Sequence, residues 1–181
     1  LDYSLNMSHY LFILAGLRIK ILYDDRYRIF WDNGMNFRGS ETDEDVLACL
    51  PEAMLRKGVI LKRTIKEILG HLIDSASNSH QRMIRLQYSK LLLVFPGYRL
   101  DNDLWIALQD YQHADWKNLV QLWKFFNLHI IQVINSVDRT KLDNYWCDFE
   151  GNRVTFREMI VGCLEHLHLH IDEIHVLMKS K

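Results

Sequence analysis

The sequence predicts an all-α protein, a four-helix bundle with long crossover connections, on three observations. Only two prolines and eight glycines interrupt 181 residues, so few positions force the backbone out of a helix. Apolar residues recur at three- and four-residue spacing over long segments, which is the period of one helix face. Two segments open with a capping box, TIKE from Thr64 to Glu67 and TFRE from Thr155 to Glu158. In that motif the Thr oxygen accepts from an early backbone N–H, and the Glu three residues on reaches back to the Thr N–H.

In chain order, helical periodicity marks residues 8–28, a shorter stretch at 43–57, then 64–87, 116–136 and 155–178. Residues 88–115 contain VFPGYRLDNDLW, whose Pro96-Gly97 pair signals a turn. A connection of that length suits a crossover rather than a tight helical hairpin. The last helix carries its apolar stripe through Phe156, Ile160, Leu164, Leu167, Ile171, Ile174 and Met178. No internal repeat or low-complexity tract interrupts the pattern, and the length fits one domain over 1–181.

Composition narrows the function. A 49% apolar and 12% aromatic chain has enough side chain to pack a core, and 25% charged residues sum to a net charge of −1. Lysines and arginines are scattered, so no nucleic-acid partner is expected. Cys49, Cys147 and Cys163 are odd in number and far apart, which suits a reducing, cytoplasmic setting better than a disulfide framework. The run YLFILAGL at 10–17 falls far short of the ~20 apolar residues that span a bilayer, and it lacks the basic flank of a signal peptide. No membrane partner is expected. The apolar surplus predicts a homodimer through helix faces, with Trp, Phe and Leu of 116–136 as contacts.

The stretch CLEHLHLHIDEI, 163–174, sets three histidines at alternate positions. A strand would aim all three at one face, whereas a helix pairs only His166 with His170. The capping box and the apolar stripe run straight through it, so it is helix. His166 and His170 then stand roughly 40° apart, and His168 points roughly 200° away. Such an H-x-x-x-H pair brings two imidazoles to one point, but position 167 is Leu, so the glutamate of the H-E-x-x-H proteases is missing. The pair sits on the shoulder of the stripe, at the rim of a core or cleft.

Two histidines at this spacing are more commonly boundary residues than ligands, and a metal site needs a third. His71 is the candidate, on a stripe continued by Ser75, Asn78 and Arg82 that reads equally as a site lining or a solvated face. His80 falls on the opposite side of that helix, and His9, His113, His129 and His175 have no paired spacing. Asp74 and Glu173, each three residues after a candidate histidine, are positioned to orient an imidazole or to act as a base. Cys163, one turn before His166, is expected to be a buried inert thiol.

Four blocks then carry a resemblance: TIKEILGHLIDSASNSHQRMIRLQ, FPGY, WIALQDYQHADWKNLVQLWKFFNLHIIQVI and TFREMIVGCLEHLHLHIDEI. In this order they resemble the DinB-like superfamily, in particular its YfiT-like metal-dependent branch, over roughly residues 64–178. The resemblance implies a four-helix bundle of the DinB type and a divalent metal held by His71, His166 and His170. Members include thiol-dependent transferases and isomerases working with low-molecular-weight thiols. Residues 1–60 resemble the family little, and Arg63 stands where members usually carry tryptophan before the capping box.

Three neutral imidazoles leave a position on a divalent ion open, the property that separates a catalytic site from a closed structural one. Zinc, nickel, iron and manganese all accept such ligands. The expected function is therefore a metal-dependent thiol transferase or a hydrolase acting on a small-molecule substrate. The rival is a noncatalytic metal-binding or stress-response bundle.

Overall fold

The computed structural model describes residues 63–89 and 92–179, together with the backbone of residues 10–14, 17–24 and 28–32. Its contacts divide the chain into two compact units, Leu1–Cys49 and Leu50–Lys181.

In the first unit, β1 (Tyr10–Leu14), β2 (Leu17–Asp24) and β3 (Arg28–Asp32) form an antiparallel sheet in that order. Leu14 pairs with Leu17 and Asp24 with Arg28, so both connections are short. The helix expected over 8–28 is thus replaced by strands. In the sequence Leu17, Ile19, Ile21 and Tyr23 alternate with Arg18, Lys20, Leu22 and Asp24, a period of two broken only at Leu22, and β-branched and aromatic residues are dense. Because so many positions there are apolar, a helical spacing can also be picked out of the same run. The short helix expected at 43–57 lies outside the described residues.

The second unit is a four-helix bundle built around its first described helix, α1 (Ile65–Tyr88). Thr64 caps it as expected: its side chain accepts from Glu67 N, and Glu67 Oε2 accepts from Thr64 N at 2.7 Å. Ile65, Ile68, Leu69, Leu72 and Met83 are buried, as α1 packs against all three of the other described helices.

The crossover expected at 88–115 holds a helix of its own, α2 (Tyr98–Gln109). Its periodicity is weak because only Tyr98 and Ile106 are buried, while Leu100, Leu104 and Leu108 face outward. Asp110 ends it in the left-handed region at φ 50°, and a 3₁₀ turn, Tyr111–His113, leads on. This turn lies so close to α1 that a Cβ on Gly70 would collide with the Tyr111 ring. Asp115 then caps α3 (Trp116–Asn135) by accepting from Asn118 N.

Between α3 and the last helix run two short strands, β5 (Tyr145–Cys147) and β6 (Arg153–Thr155); β5 pairs in parallel with β4 (Leu93–Val94) on one side and antiparallel with β6 on the other, in a small mixed sheet. These strands are only two or three residues long, below what an alternating pattern can reveal. β6 feeds directly into α4 (Phe156–Lys179). The second capping box forms there, with Thr155 Oγ1 accepting from Glu158 N at 3.2 Å and Glu158 Oε2 accepting from Thr155 N at 2.8 Å. Among the described residues no helix is long and apolar enough to cross a membrane.

Candidate metal centre

The two capping boxes set the phase of the two helices that carry the site. His71 stands in the second turn of α1 and is buried, whereas α4 presents His170 buried and His166 half-buried at the bundle's rim. The three rings meet across the helix interface. His166 Nε2 lies 3.1 Å from His71 Nε2 and 3.1 Å from His170 Nε2, and one ligand atom from each histidine falls within 4.8 Å of the others. His168, half-buried on the same helix, is not one of the group, as the helical phase requires.

Each ring is held from behind by an oxygen. His170 Nδ1 is 2.6 Å from Glu173 Oε2, His71 Nδ1 is 2.9 Å from the Tyr98 hydroxyl and His166 Nδ1 is 3.4 Å from Ser75 Oγ. A carboxylate only accepts, so His170 Nδ1 carries the proton and its Nε2 presents a lone pair. When the two hydroxyls accept in the same way, all three Nε2 lone pairs converge on one point. Three acceptors without a donor form a poor arrangement for neutral rings and a good one around a cation. Outer oxygens of this kind are what fix the tautomer of metal-bound imidazoles.

The dimensions fit as well. With zinc–nitrogen distances of ~2.0–2.1 Å, nitrogens 3.1 Å apart subtend roughly 100° at a shared ion, between octahedral and tetrahedral values. Electrostatics point the same way. Burial first, then the neighbouring His170 and His166, pushes His71 down from 6.5 to about 3. His166 is pushed down to about 4 by burial and then by His170 and Arg63. Both rings are therefore neutral at physiological pH, the state in which imidazole ligates.

The two carboxylates singled out in the sequence part company. Glu173 orients His170. Asp74 is turned away from the histidines: its Oδ1 accepts from the Tyr111 hydroxyl and from Gln109 Nε2, both at 2.7 Å, and burial raises its carboxyl above the ordinary carboxylate range. Asp74 thus ties α1 to the 3₁₀ turn and is not a base for this site. On the stripe beyond His71, Ser75 and Arg82 line the cavity at the histidines, whereas Asn78 bonds back to the Asp74 carbonyl. The Cys163 thiol donates to Ser79 Oγ at 3.0 Å, and burial raises its pKa, as expected of an inert thiol.

Sequence reasoning passed over Tyr98. It lies in the FPGY block, buried, with its ring stacked on His71 at 5.9 Å between centroids, and burial pushes its hydroxyl pKa upward. As the first residue of α2, a helix with little periodicity, it gives no periodic signal; the Pro96-Gly97 turn just before it is the available clue.

The histidines open onto a cavity of about 540 Å³, walled by Tyr98, Trp146, Phe149, Leu169 and the side chains of Arg63 and Arg82. A buried imidazole cluster at the base of such a cavity is a site able to bind an ion and admit a small molecule to it.

These features define a four-helix bundle with a three-histidine group that could hold a metal ion, the character of a known class. The chain belongs to the DinB superfamily, whose family model matches residues 42–174. Among solved structures it is similar to YfiT from Bacillus subtilis, with a TM-score of 0.67 and 18% identity over 75% of this chain and 77% of that one. That protein is described as a probable metal-dependent hydrolase with an unusual four-helix bundle topology. At this identity the likeness shows the shared fold. No curated protein is similar enough in sequence to match.

Proposed function

We propose that this protein is a divalent-metal-dependent enzyme in which His71, His166 and His170 hold the ion and activate a nucleophile against a small-molecule substrate in the adjoining cavity. The observation that carries this reading is the convergence of three Nε2 atoms, each backed by an oxygen on Nδ1, at the base of the cavity. A divalent ion bound there would supply a Lewis acid with an open position, able to lower the pKa of a thiol or of water.

The protein's own groups do the rest. Glu173 and Tyr98 hold two of the rings in register, so little reorganisation is needed when the ion arrives. Trp146, Phe149 and Leu169 line the cavity and restrict water around the reacting group. Of the described carboxylates near the site, Glu173 is committed to His170, and Asp148 in the cavity wall accepts from Asn152 and Glu150 of its own turn. Asp103, whose charge acts on His71, is engaged by Arg63. A thiol needs only the ion to lose its proton near neutral pH, and a thiol transferase is the first reading. The hydrolase reading is kept because the structurally similar YfiT is described as a probable metal-dependent hydrolase.

Metal analysis of the protein as purified, followed by turnover assays with low-molecular-weight thiols and electrophiles, tests the proposal. It expects one divalent ion per chain, zinc, nickel, iron or manganese, and thiol-dependent turnover. Replacing His166 or His170 with Ala removes both, and His168→Ala leaves the ion in place. A parent protein that binds no ion under any condition would make the noncatalytic bundle the better reading.

A homodimer belongs to the same proposal. Leu122 and Phe125 on α3 are exposed, while Trp116 and Trp123 are committed to the core. Light scattering that finds a monomer at micromolar concentration removes this part.

A further inference from the structure

Three arginines line the cavity at the histidines, and their charges are met unequally. Arg63 is engaged by the Asp103 carboxylate and the Asn102 side-chain oxygen. Arg99 is exposed. Arg82 is half-buried, with its guanidinium 4.4 Å from the Trp146 ring centroid and 5.5 Å from that of Phe95. Among the described residues no carboxylate pairs with it. Asp148, the acid in the same wall, spends Oδ1 on the backbone N–H groups of Glu150 and Asn152 and Oδ2 on the Asn152 amide.

An aromatic ring satisfies the face of a guanidinium but none of its in-plane N–H donors. A guanidinium drawn partly out of water with those donors unmet is poised for an oxyanion, which takes two of them at once. The position on α1 supports this use. Ser75 and Arg82 follow His71 by four and eleven residues on one face, and His71 and Arg82 are roughly 16 Å apart along the helix axis, less the arginine's reach back toward the N-terminus. The cavity that holds both residues also has apolar lining, from Trp146, Phe149, Val154 and Leu169.

We propose that Arg82 is the anion anchor of this site, and that the ligand is a carboxylic acid whose reacting atom, several bonds away along an apolar spacer, lies at the three histidines. One half-buried cation, in a cavity whose lining also carries the Asp148 carboxylate, matches a single carboxylate charge better than a phosphate dianion. The placement of the reacting atom rests on the proposed function; the anchor itself does not.

The test uses ω-mercaptoalkanoic acids of increasing chain length and their neutral primary amides. Sulfur ligation is read from the visible absorption of cobalt-loaded protein, and affinity by calorimetry on both cobalt-loaded and metal-free protein. The acids bind more tightly than the amides by roughly ten- to a hundredfold, with an optimum chain length. Arg82→Gln abolishes this preference without changing the cobalt stoichiometry, and Arg82→Lys, which keeps the charge but loses the fork, retains part of it. Should Arg82→Gln fail to fold, the partial loss in Arg82→Lys carries the test. Equal affinity of acid and amide in the parent, an unchanged preference in both variants, or stronger binding of the matching phosphonate would overturn the proposal. Absence of any sulfur-to-cobalt absorption would instead count against the metal-enzyme reading, and the acid–amide difference in metal-free protein would still decide Arg82.

Discussion

Two clusters of histidines join α1 to its neighbours, and they differ in what stands behind the rings. His71 meets His166 and His170 of α4 with three Nε2 atoms converging and each Nδ1 facing an oxygen. His80 meets His129 of α3 at 5.1 Å between centroids, beside Phe126 at 5.9 Å. Neither of those two rings has a hydrogen-bond partner among the described residues, His80 is only half-buried, and His129 is exposed. Burial and the neighbouring His129 lower the His80 pKa. Proximity of imidazoles is common to both clusters. Outer oxygens, two buried rings and a third ring are found only in the first, and these are what turn neighbouring histidines into a candidate ion site.

The largest expected effect tests whether that contrast is functional. His71→Ala removes one of the three proposed ligands and is expected to abolish stoichiometric zinc or cobalt binding by calorimetry, whereas His80→Ala and His129→Ala are expected to bind the ion like the parent. Equal losses from both clusters would erase the distinction.

The next effect concerns the oxygens. Glu173→Ala frees the His170 ring and lowers metal affinity by about 10- to 100-fold, and Tyr98→Phe does the same toward the smaller end of that range. If neither variant weakens binding, the oxygens are bystanders and the two clusters differ only in ring number.

Proton linkage gives a third test. In the folded protein His71 and His166 titrate at about 3 and about 4, against 6.5 for an unperturbed histidine. Between those values the unfolded chain binds more protons than the folded one, so lower pH favours unfolding. The metal-free protein should hold a constant melting temperature above about pH 6.5 and lose stability as pH falls toward 4. The slope should be shallower in His166→Ala, as followed by circular dichroism. His80, half-buried, contributes a smaller slope of the same sign.

The smallest effect probes packing beneath the first cluster. Gly70→Ala forces the Tyr111 ring away from α1, an overpacking that costs about 1–3 kcal/mol. It is read from denaturant midpoints, with metal affinity reduced only through the His71 backbone beside it.

That His166 and His170 share a face without His168 was legible in the chain because it depends on local rules. A capping box fixes where a helix begins, 3.6 residues per turn fixes which of His166, His168 and His170 share a face, and both rules act within one element. Helices α1, α3 and α4 fall within a residue or two of their expected bounds for the same reason. Where local signals compete, the sequence misled: residues 17–24 satisfy both a helical and an alternating reading, and pairing with β1 and β3 is what makes them a strand. α2 was hidden because its outward face carries Leu100, Leu104 and Leu108 as well as polar residues, leaving no clean stripe. What only the tertiary structure decided is which partner each polar group meets. Asp74 and Glu173 have the same spacing from a histidine, yet Tyr111 and Gln109 take the first while the second reaches His170. Tyr98 and Arg82 acquire their places at the cavity through chain segments far from the histidines of α4. Such contacts are set by how elements pack across tens of residues, a relation that no periodicity within one element encodes.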